Sequence, residues 1–249
     1  MTSREKTGLL PLDAAGPARP LSERALTIAW GAIQWPWLAR SLWGGRQADK
    51  TALLDRLDLP HDALPHLGSW KADTWFLWRI VEAVERLRPR EVVELGCGAS
   101  SLVIARALER NGGGRLTSFD QHAGFVAQTA QWLGSHDLSA SIRHAPIVED
   151  PTDWSHNWYD LSAIPAAIDL LVIDGPPWTL NPFVRGRAEV LFERIVPGGM
   201  ILLDDAARPG ERVVAGRWRR NWPDFFLRRI RFLSHRNSGR SWVNTLAGC

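Results

Sequence analysis

A strand, a glycine turn, a helix and a strand-terminal acid follow one another near the middle of this sequence, and few folds accommodate that order. The apolar strand pattern Glu91–Leu95 runs into Gly96-Cys97-Gly98 and then into an apolar helix pattern. A second strand pattern, 115–119, ends on Asp120. Glycines at 96 and 98 permit a tight turn that a ligand can approach closely, and Asp120 can accept hydrogen bonds from both hydroxyls of a ribose. The arrangement is typical of nucleotide-binding α/β sheets.

The spacing of the glycines argues against a dinucleotide ligand. The dinucleotide pattern G-x-G-x-x-G would need glycine at position 101, where this chain has Ser101. No glycine suited to a pyrophosphate replaces it, so the turn points to another nucleoside-containing ligand.

Helix and strand patterns alternate from Asp73 onward in the manner of βαβ units. Asp73 can cap a helix whose apolar residues recur at three- and four-residue steps up to Leu87. The apolar run 168–173 predicts a buried strand, 181–195 a helix and 200–203 a further strand. Other patterns predict a helix over 125–133 and strands over 139–144, 225–233 and 241–246.

These patterns predict an α/β fold built on a Rossmann-like, seven-stranded, mostly parallel sheet. Helices are expected on both faces of the sheet, together with an N-terminal helical extension. The predicted divisions are a flexible arm over 1–20, a tryptophan-rich helical extension over 21–70 and the main domain over 71–249.

The segment 21–43 is apolar and contains four tryptophans. One interpretation is a helix that breaks at Pro36 and packs on the main domain. Another is a flap over the substrate or a contact with a membrane surface, because tryptophan favours both settings.

Composition and cysteine content indicate a globular cytoplasmic protein. The chain is 45% hydrophobic and 23% charged, which is ordinary for a globular domain. Cys97 and Cys249 cannot form a disulfide framework, which suggests a reducing compartment. The N-terminus lacks the apolar core of a secretory signal, and the longest charge-free stretch, 25–39, is shorter than the roughly 20 residues that span a bilayer. Peripheral membrane contact and homo-oligomerisation stay open.

The stretch 92–98 resembles class I methyltransferases that use S-adenosylmethionine (SAM). The resemblance continues through 116–120, 170–177 and 196–205 and covers roughly residues 70–249. One departure is Ser100, where many members of that family have a third glycine. The resemblance implies a SAM-binding methyltransferase domain. It places Glu94, Gly96, Gly98 and Ser100 at the methionine end of SAM, Asp120 at the ribose, and Gln121, His122 and Ala145 near the adenine.

Three further acids end neighbouring predicted strands. Asp174 follows one strand, and Asp204 and Asp205 follow the next. Such carboxylates would repel one another unless protons or a cation compensate, and hard oxygen ligands suit Mg²⁺ or Ca²⁺. The pattern resembles metal-dependent catechol-type O-methyltransferases, which have an Asp-Asn pair where this chain has Asp204-Asp205. It also resembles the cephalosporin-hydroxylase-like branch, where acids hold the metal.

A metal-free alternative assigns these acids other roles. Asp174 would then orient the substrate, and Asp204 and Asp205 would cap the next helix. Asp174 or His144 could serve as the general base on an acceptor hydroxyl.

The function expected from these features is SAM-dependent methylation of a small-molecule acceptor at a hydroxyl group. The turn Asp174-Gly175-Pro176-Pro177 is out of register with the motif of base-modifying amino methyltransferases, which disfavours nucleic acid as a partner. An RNA methyltransferase remains an alternative because ten arginines lie between Arg208 and Arg240. A third alternative is a SAM-binding interaction module that has lost catalysis.

Overall fold

The structure, a computed structural model, describes residues 21–149, 157–223, 225–231 and 242–248, the last two ranges as backbone alone. The arm predicted over 1–20 lies outside the described residues. The described α-helices are α1 (Leu21–Ser41), α2 (Gln47–Leu57), α3 (Thr74–Leu87), α4 (Ala99–Arg110), α5 (Ala123–Gly134) and α6 (Pro209–Asn221), and a 3-10 helix spans Val184–Arg194. The described strands are β1 (Glu91–Leu95), β2 (Arg115–Asp120), β3 (Ser141–His144), β4 (Ile147–Glu149), β5 (Asn157–Tyr159), β6 (Ile168–Ile173), β7 (Ile195–Leu203), β8 (Phe225–Arg231) and β9 (Trp242–Gly248).

Seven of these strands form one twisted layer in the order β3-β2-β1-β6-β7-β9-β8. The first five are parallel, and β9 runs antiparallel to both β7 and β8. Strands β4 and β5 form a separate antiparallel pair. The predicted α/β, Rossmann-like fold is confirmed: five parallel strands are completed in the same sheet by the mutually antiparallel strands β9 and β8.

Alternate residues of the central strands enter two hydrophobic cores on opposite faces of the sheet. Val92 packs in one core with residues of α2, α3 and α4. Its neighbour Val93 packs in the other core with residues of the 3-10 helix and α6, among them Trp218. Because successive side chains of a strand point to opposite faces, helices cover both sides, and strands buried on both sides are typical of parallel sheets.

Helix α3 follows its sequence pattern closely. The Asp73 carboxylate caps the helix by accepting a hydrogen bond from the Phe76 amide at 2.7 Å. The apolar face includes Ile80 and Val84, both fully buried. The helix ends where Arg88 takes a left-handed conformation, directly before Pro89.

Helix α1 corrects the prediction of a break at Pro36. The helix runs unbroken from Leu21 to Ser41 with Pro36 inside it. Its inner face is buried against the rest of the protein: Gln34 is 1% exposed, and the Trp30 ring meets the Phe183 ring, just before the 3-10 helix, edge to face at 4.8 Å. Packing of this face can hold a helix together although proline removes one backbone donor. No described helix is long and apolar enough to cross a membrane.

Other elements differ from the sequence predictions in type or were missed. The helix predicted over 181–195 is a 3-10 helix. Helix α2 lies within the helical extension predicted over 21–70, although its bounds were not predicted. The β4–β5 pair was not predicted, because strands of three residues are too short to show an alternating pattern.

Two glycines let the turns after β1 and β6 pack directly on each other. A Cβ placed on Gly175 would lie 2.9 Å from the Gly96 Cα, and one placed on Gly96 would lie 2.7 Å from the Gly175 amide nitrogen. Real Cβ atoms do not approach other atoms so closely, so the contact requires glycine on both sides. This contact brings the ends of β1 and β6 together.

We therefore expect Gly175→Ala to lower the free energy of unfolding by about 1–3 kcal/mol, because the added methyl group would lie 2.9 Å from the Gly96 Cα and closer still to the Tyr159 hydroxyl oxygen. Urea denaturation of both proteins measures the change. Gly134→Ala is the matched control, since a Cβ there meets nothing within 4 Å. Equal stability of the Gly175→Ala protein and the wild type would contradict this account of the junction.

Candidate active site

The turn between β1 and α4 opens toward a cavity of about 360 Å³. Gly96 has φ of +93° and Gly98 has φ of +153°, conformations that residues with a Cβ rarely adopt. A Cβ on Gly98 would meet nothing within 4 Å, so the backbone here faces open space. Gly96, Gly98 and Ser100 all line the cavity.

Glu94 lies beneath this turn and does not line the cavity. It is fully buried, and its Oε2 accepts hydrogen bonds from the hydroxyls of Ser101 at 2.5 Å and Ser118 at 2.6 Å. The Ser101 hydroxyl in turn accepts from the Gly98 amide at 3.0 Å. Glu94 therefore acts on the turn through Ser101, whereas the sequence placed it against the methionine end of SAM.

Asp120 stands at the end of β2 and lines the same cavity. Its Oδ1 accepts a hydrogen bond from the His122 amide at 2.8 Å, and its Oδ2 accepts one from the Cys97 amide at 3.1 Å. Burial raises the pKa of Asp120, and these two donors oppose the rise. The two amides hold the Asp120 carboxylate in place beside the glycine turn that begins at Gly96.

The residues predicted near the adenine separate into two groups. Gln121 lines the cavity beside Phe125. His122 caps α5 through its ring nitrogen and stacks on Phe125 at 4.3 Å, and Ala145 is fully buried. Neither His122 nor Ala145 lines the cavity.

His144 does not join the other predicted catalytic residue. Its side chain is exposed at the end of β3, where its Nε2 lies 3.1 Å from the Gln121 carbonyl oxygen. Asp174 ends β6 and lines the cavity, whereas His144 does not. The two residues lie on strands separated by β1 and β2, so the structure separates the two candidate bases.

The three acids of the predicted metal site do come together. Asp174, Asp204 and Asp205 each offer a carboxylate oxygen within 4.8 Å of the others. They follow β6 and β7, which are neighbouring parallel strands. All three line the cavity, at the sheet edge where open α/β sheets bind ligands.

Two buried arginines compensate part of this negative charge. Arg185, on the 3-10 helix, lies 3.6 Å from the Asp174 carboxylate and 3.5 Å from that of Asp205. Arg208 pairs with Asp205 at 2.8 Å and is 4% exposed. No sequence pattern predicted that Arg185 or Arg208 would join this cluster.

The arginines do not balance the cluster completely. Glu211, 2% exposed, joins it at 3.8 Å from Arg185, which makes four carboxylates against two guanidinium groups. Burial and the neighbouring carboxylates raise the pKa of Asp204 well above its usual value, and burial raises that of Asp174 although Arg185 opposes it. A cluster in which carboxylates outnumber guanidinium groups is rich in hard oxygen ligands and is chemically suited to a divalent cation.

The opposite wall of the cavity comes from the N-terminal third of the chain. The end of α1, the loop before α3 and the start of α3 supply aromatic and charged side chains that the sequence did not assign to the site. Burial raises the pKa of Asp73 there to about 6, and the charges of Asp205 and Asp174 add to the rise. The residues of this wall include Trp37, Arg40, Trp43, Trp70, Lys71, Asp73 and Trp75.

Comparison with known proteins agrees with this architecture. Residues 93–206 match the family model Methyltransf_24, described as a methyltransferase domain. No curated protein matches the sequence significantly. Among solved structures, the fold is similar to that of an O-methyltransferase from Bacillus cereus in complex with S-adenosylhomocysteine (SAH), with a TM-score of 0.54, 14% identity and coverage of 89% of this chain and 99% of that one.

Two further structures have similar folds. One is the O-methyltransferase TomG from Streptomyces achromogenes, involved in tomaymycin synthesis and solved with SAM (TM-score 0.50, 15% identity, 90% of this chain and 99% of that one). The other is the SAH-bound methyltransferase PaMTH1 from Podospora anserina (TM-score 0.50, 12% identity, 94% and 99%). At these identities the likeness concerns the fold alone.

Residues 93–206 therefore match a methyltransferase domain, and the fold is similar to that of solved methyltransferases. The domain match bears out the sequence prediction of a methyltransferase.

Glu94 yields a prediction about stability and pH. Burial raises its pKa from 4.5 to about 7, so the folded state keeps a proton that the unfolded chain loses near pH 4.5. The free energy of unfolding therefore falls as the pH rises through this window, by roughly 3 kcal/mol for this group. Glu94→Gln should remove this part of the pH dependence, which urea titrations between pH 4 and pH 8 measure.

Glu193→Gln, at an exposed glutamate, controls for the loss of one charge. A Glu94→Gln protein whose stability varies with pH as steeply as that of the wild type would show that the buried carboxyl does not carry the effect.

Proposed function

We propose that this protein transfers the methyl group of SAM to a hydroxyl group of a small molecule. The observation that carries the proposal is one cavity with two chemically different halves. The glycine turn and Asp120 lie in one half, and the acid cluster around Asp174 lies in the other. A nucleoside-containing cofactor and an acceptor could therefore meet in a single enclosed space.

The first half is suited to SAM. The positive-φ backbone at Gly96 and Gly98 would lie against the methionine part, with Ser100 beside it. Asp120 would accept hydrogen bonds from the ribose hydroxyls, because two backbone amides already hold its carboxylate in place. SAM supplies the electrophilic methyl group when bound; the protein aligns the acceptor oxygen with it.

The positions of the residues predicted near the adenine refine the assignment of the adenine-binding end of the cavity. Gln121 and Phe125 line the cavity and would contact the adenine. His122 would support Phe125 through ring stacking, and Ala145 would hold the end of β2, since its amide donates to the Asp120 carbonyl oxygen at 2.9 Å.

The acceptor half is suited to a small molecule with an aromatic or other planar part. Tryptophans 37, 43, 70 and 75 border it, and the rings of Trp43 and Trp75 lie 5.1 Å apart. Indole faces pack on planar groups with little loss of conformational entropy. The cavity as a whole, with a volume of about 360 Å³, lies in the range of small-molecule sites.

Asp174 is the proposed general base. It lines the cavity and is 17% exposed, and burial raises its pKa toward the range where a carboxylate accepts a proton efficiently. Arg185 holds it in place from below. His144 lies outside the cavity lining, so we assign the base to Asp174 alone.

As an alternative to the metal-free base, we propose that Asp174, Asp204 and Asp205 hold Mg²⁺, with Asp174 as a ligand. The proximity of their carboxylates and the excess of acids over arginines support this. Bound there, Mg²⁺ would polarise an acceptor oxygen as a Lewis acid and lower the pKa of the hydroxyl.

The geometry gives less support to RNA as the acceptor. Residues 232–240 of the arginine-rich segment lie outside the described residues. Within α6, Arg217 pairs with Glu189 at 3.3 Å, so part of the positive charge of the described residues is already paired. A cavity of about 360 Å³ suits a small molecule better than a polynucleotide.

Loss of Asp120 should weaken cofactor binding. Asp120→Ala removes two hydrogen bonds to a ribose and should reduce SAH affinity by about 10- to 100-fold, as measured by calorimetric titration. Asp160→Ala, at an exposed acid, serves as the control. Unchanged SAH affinity in the Asp120→Ala protein would refute the cofactor assignment.

Loss of Asp174 should separate chemistry from cofactor binding. Asp174→Ala should lower the rate at which SAH is formed from SAM by at least about 100-fold with phenolic and sugar acceptors. The affinity for SAH should change only a few-fold. If the variant turns over at the wild-type rate, Asp174 is neither base nor essential metal ligand.

Metal removal tests the Mg²⁺ proposal by binding as well as by activity. Mg²⁺ titrated into EDTA-treated protein should bind with a measurable heat and raise the melting temperature, and both effects should be absent in Asp205→Asn. Absence of binding to the wild type, with full activity in EDTA, would show that Arg185 and Arg208 suffice.

A further inference from the structure

Helix α1 has one face turned to the protein and another turned to water. Gln34 and Leu38 are buried on the first face, at 1% and 9% exposure. Gly31 lies on the same side, where an added Cβ would come within 3.2 Å of the Trp178 ring. Because the helix repeats every 3.6 residues, positions on the opposite side fall on a separate stripe.

That outer stripe is apolar along the whole helix. Large side chains recur every seven residues: Leu21, Ile28, Trp35 and Leu42 are 80%, 74%, 63% and 38% exposed. Exposed alanines recur at the same period between them, at positions 25, 32 and 39. We call these seven residues the α1 stripe.

The order of residues in the α1 stripe is symmetric about Ala32. On either side of Ala32 there follow a large residue, an alanine and a leucine: Ile28, Ala25 and Leu21 in one direction, and Trp35, Ala39 and Leu42 in the other. The charged residues of segment 21–43, which are Glu23, Arg24 and Arg40, all fall outside the α1 stripe.

We propose that the α1 stripe packs on the α1 stripe of a second copy of this chain, as an antiparallel helix pair with its twofold axis at Ala32. A twofold contact must be self-complementary, so that residue i meets residue j and j meets i. The symmetric order provides this: Ile28 lies within one residue, about 1.5 Å along the helix, of the level of Trp35 of the other copy, and Leu21 lies as close to the level of its Leu42. A seven-residue repeat is also the period of helices that wrap around each other.

The alternation of large and small residues explains how two such helices could approach. About the twofold axis, the alanine column of each helix faces the alanine column of its partner, which allows a short distance between the axes. The column of large residues then packs alongside. A 21-residue helix is about 31 Å long, so the pair would bury on the order of 1,000 Å², close to the lower limit for a specific interface.

A second copy fits the α1 stripe better than a membrane surface. Helices that lie on membranes carry lysine and arginine along their polar face, whereas segment 21–43 contains no lysine. Adsorption to a membrane also has no need of a symmetric order of residues. The contact would hold one wall of the cavity, because α1 also contributes Trp37 and Arg40 to it.

Matched arginine substitutions test the contact. In analytical ultracentrifugation, the wild-type protein should have a molecular mass of twice the chain mass of 27.9 kDa. Ala32→Arg places a charge at the axis and should raise the dissociation constant by at least about 100-fold. Ala29→Arg, at an exposed alanine of the same helix outside the stripe, should change it by less than about three-fold, and thermal melts should show both variants folded.

A cross-link tests the register. Ala32→Cys brings two thiols together at the axis, so mild oxidation should give a covalent dimer. Ala29→Cys and the wild type, with its own Cys97 and Cys249, should give none under the same conditions.

Several outcomes would overturn the proposal, and none depends on methyl transfer. They are a wild type that is monomeric at about 100 μM protein, equal effects of the two arginine variants, and failure of Ala32→Cys to cross-link. A wild type that dimerises only after residues 1–20 are removed would assign the stripe to that arm. Binding of a monomeric protein to phosphatidylcholine–phosphatidylserine vesicles, lost in Ala32→Arg, would assign it to a membrane.

Discussion

The guanidinium of Arg185 joins the elements that build the acidic end of the cavity. It donates hydrogen bonds to the backbone oxygens of Asp174, Pro176 and Asp204. These contacts connect the 3-10 helix to the ends of β6 and β7, and the ion pair with Glu211 adds α6. A buried charge is costly unless it is paired and fully hydrogen-bonded, so the position of each acid around Arg185 is constrained by the others.

The same constraint accounts for the electrostatics of the proposed acceptor half. Burial lowers the pKa of Arg185 but is outweighed by Glu211, Asp205 and Asp174, which raise it, so Arg185 stays charged. The acids outnumber the arginines in this cluster. Their carboxylate oxygens can bind a proton or a divalent cation. The acids near the proposed cofactor half are held by neutral donors instead of arginines. Hydroxyl groups hold Glu94 beneath the glycine turn, and backbone amides hold Asp120.

Helix α1 links the cavity to the outer surface. One face packs on Trp178 and Phe183, and the end of the helix carries Trp37 and Arg40 into the cavity wall. The other face presents the α1 stripe. If two copies pair through it, the assembly would stabilise the wall that covers the acceptor, because burying the stripe favours the docked helix.

The sequence by itself determined the parts that depend on local pattern. The glycine turn, Asp120, and the acids that end β6 and β7 could be found because strand periodicity marks where each strand ends, and parallel strands bring their ends to one sheet edge. The Asp73 cap could be predicted because Asp73 stands directly before a helical pattern of apolar residues. Only the tertiary structure decided that Glu94 acts from beneath the turn, that His144 lies outside the cavity, and that Arg185 and Arg208 enter the acid cluster. Those outcomes depend on contacts between residues far apart in the chain. The spacing of residues along the sequence does not show which charged group will lie beside a buried carboxylate.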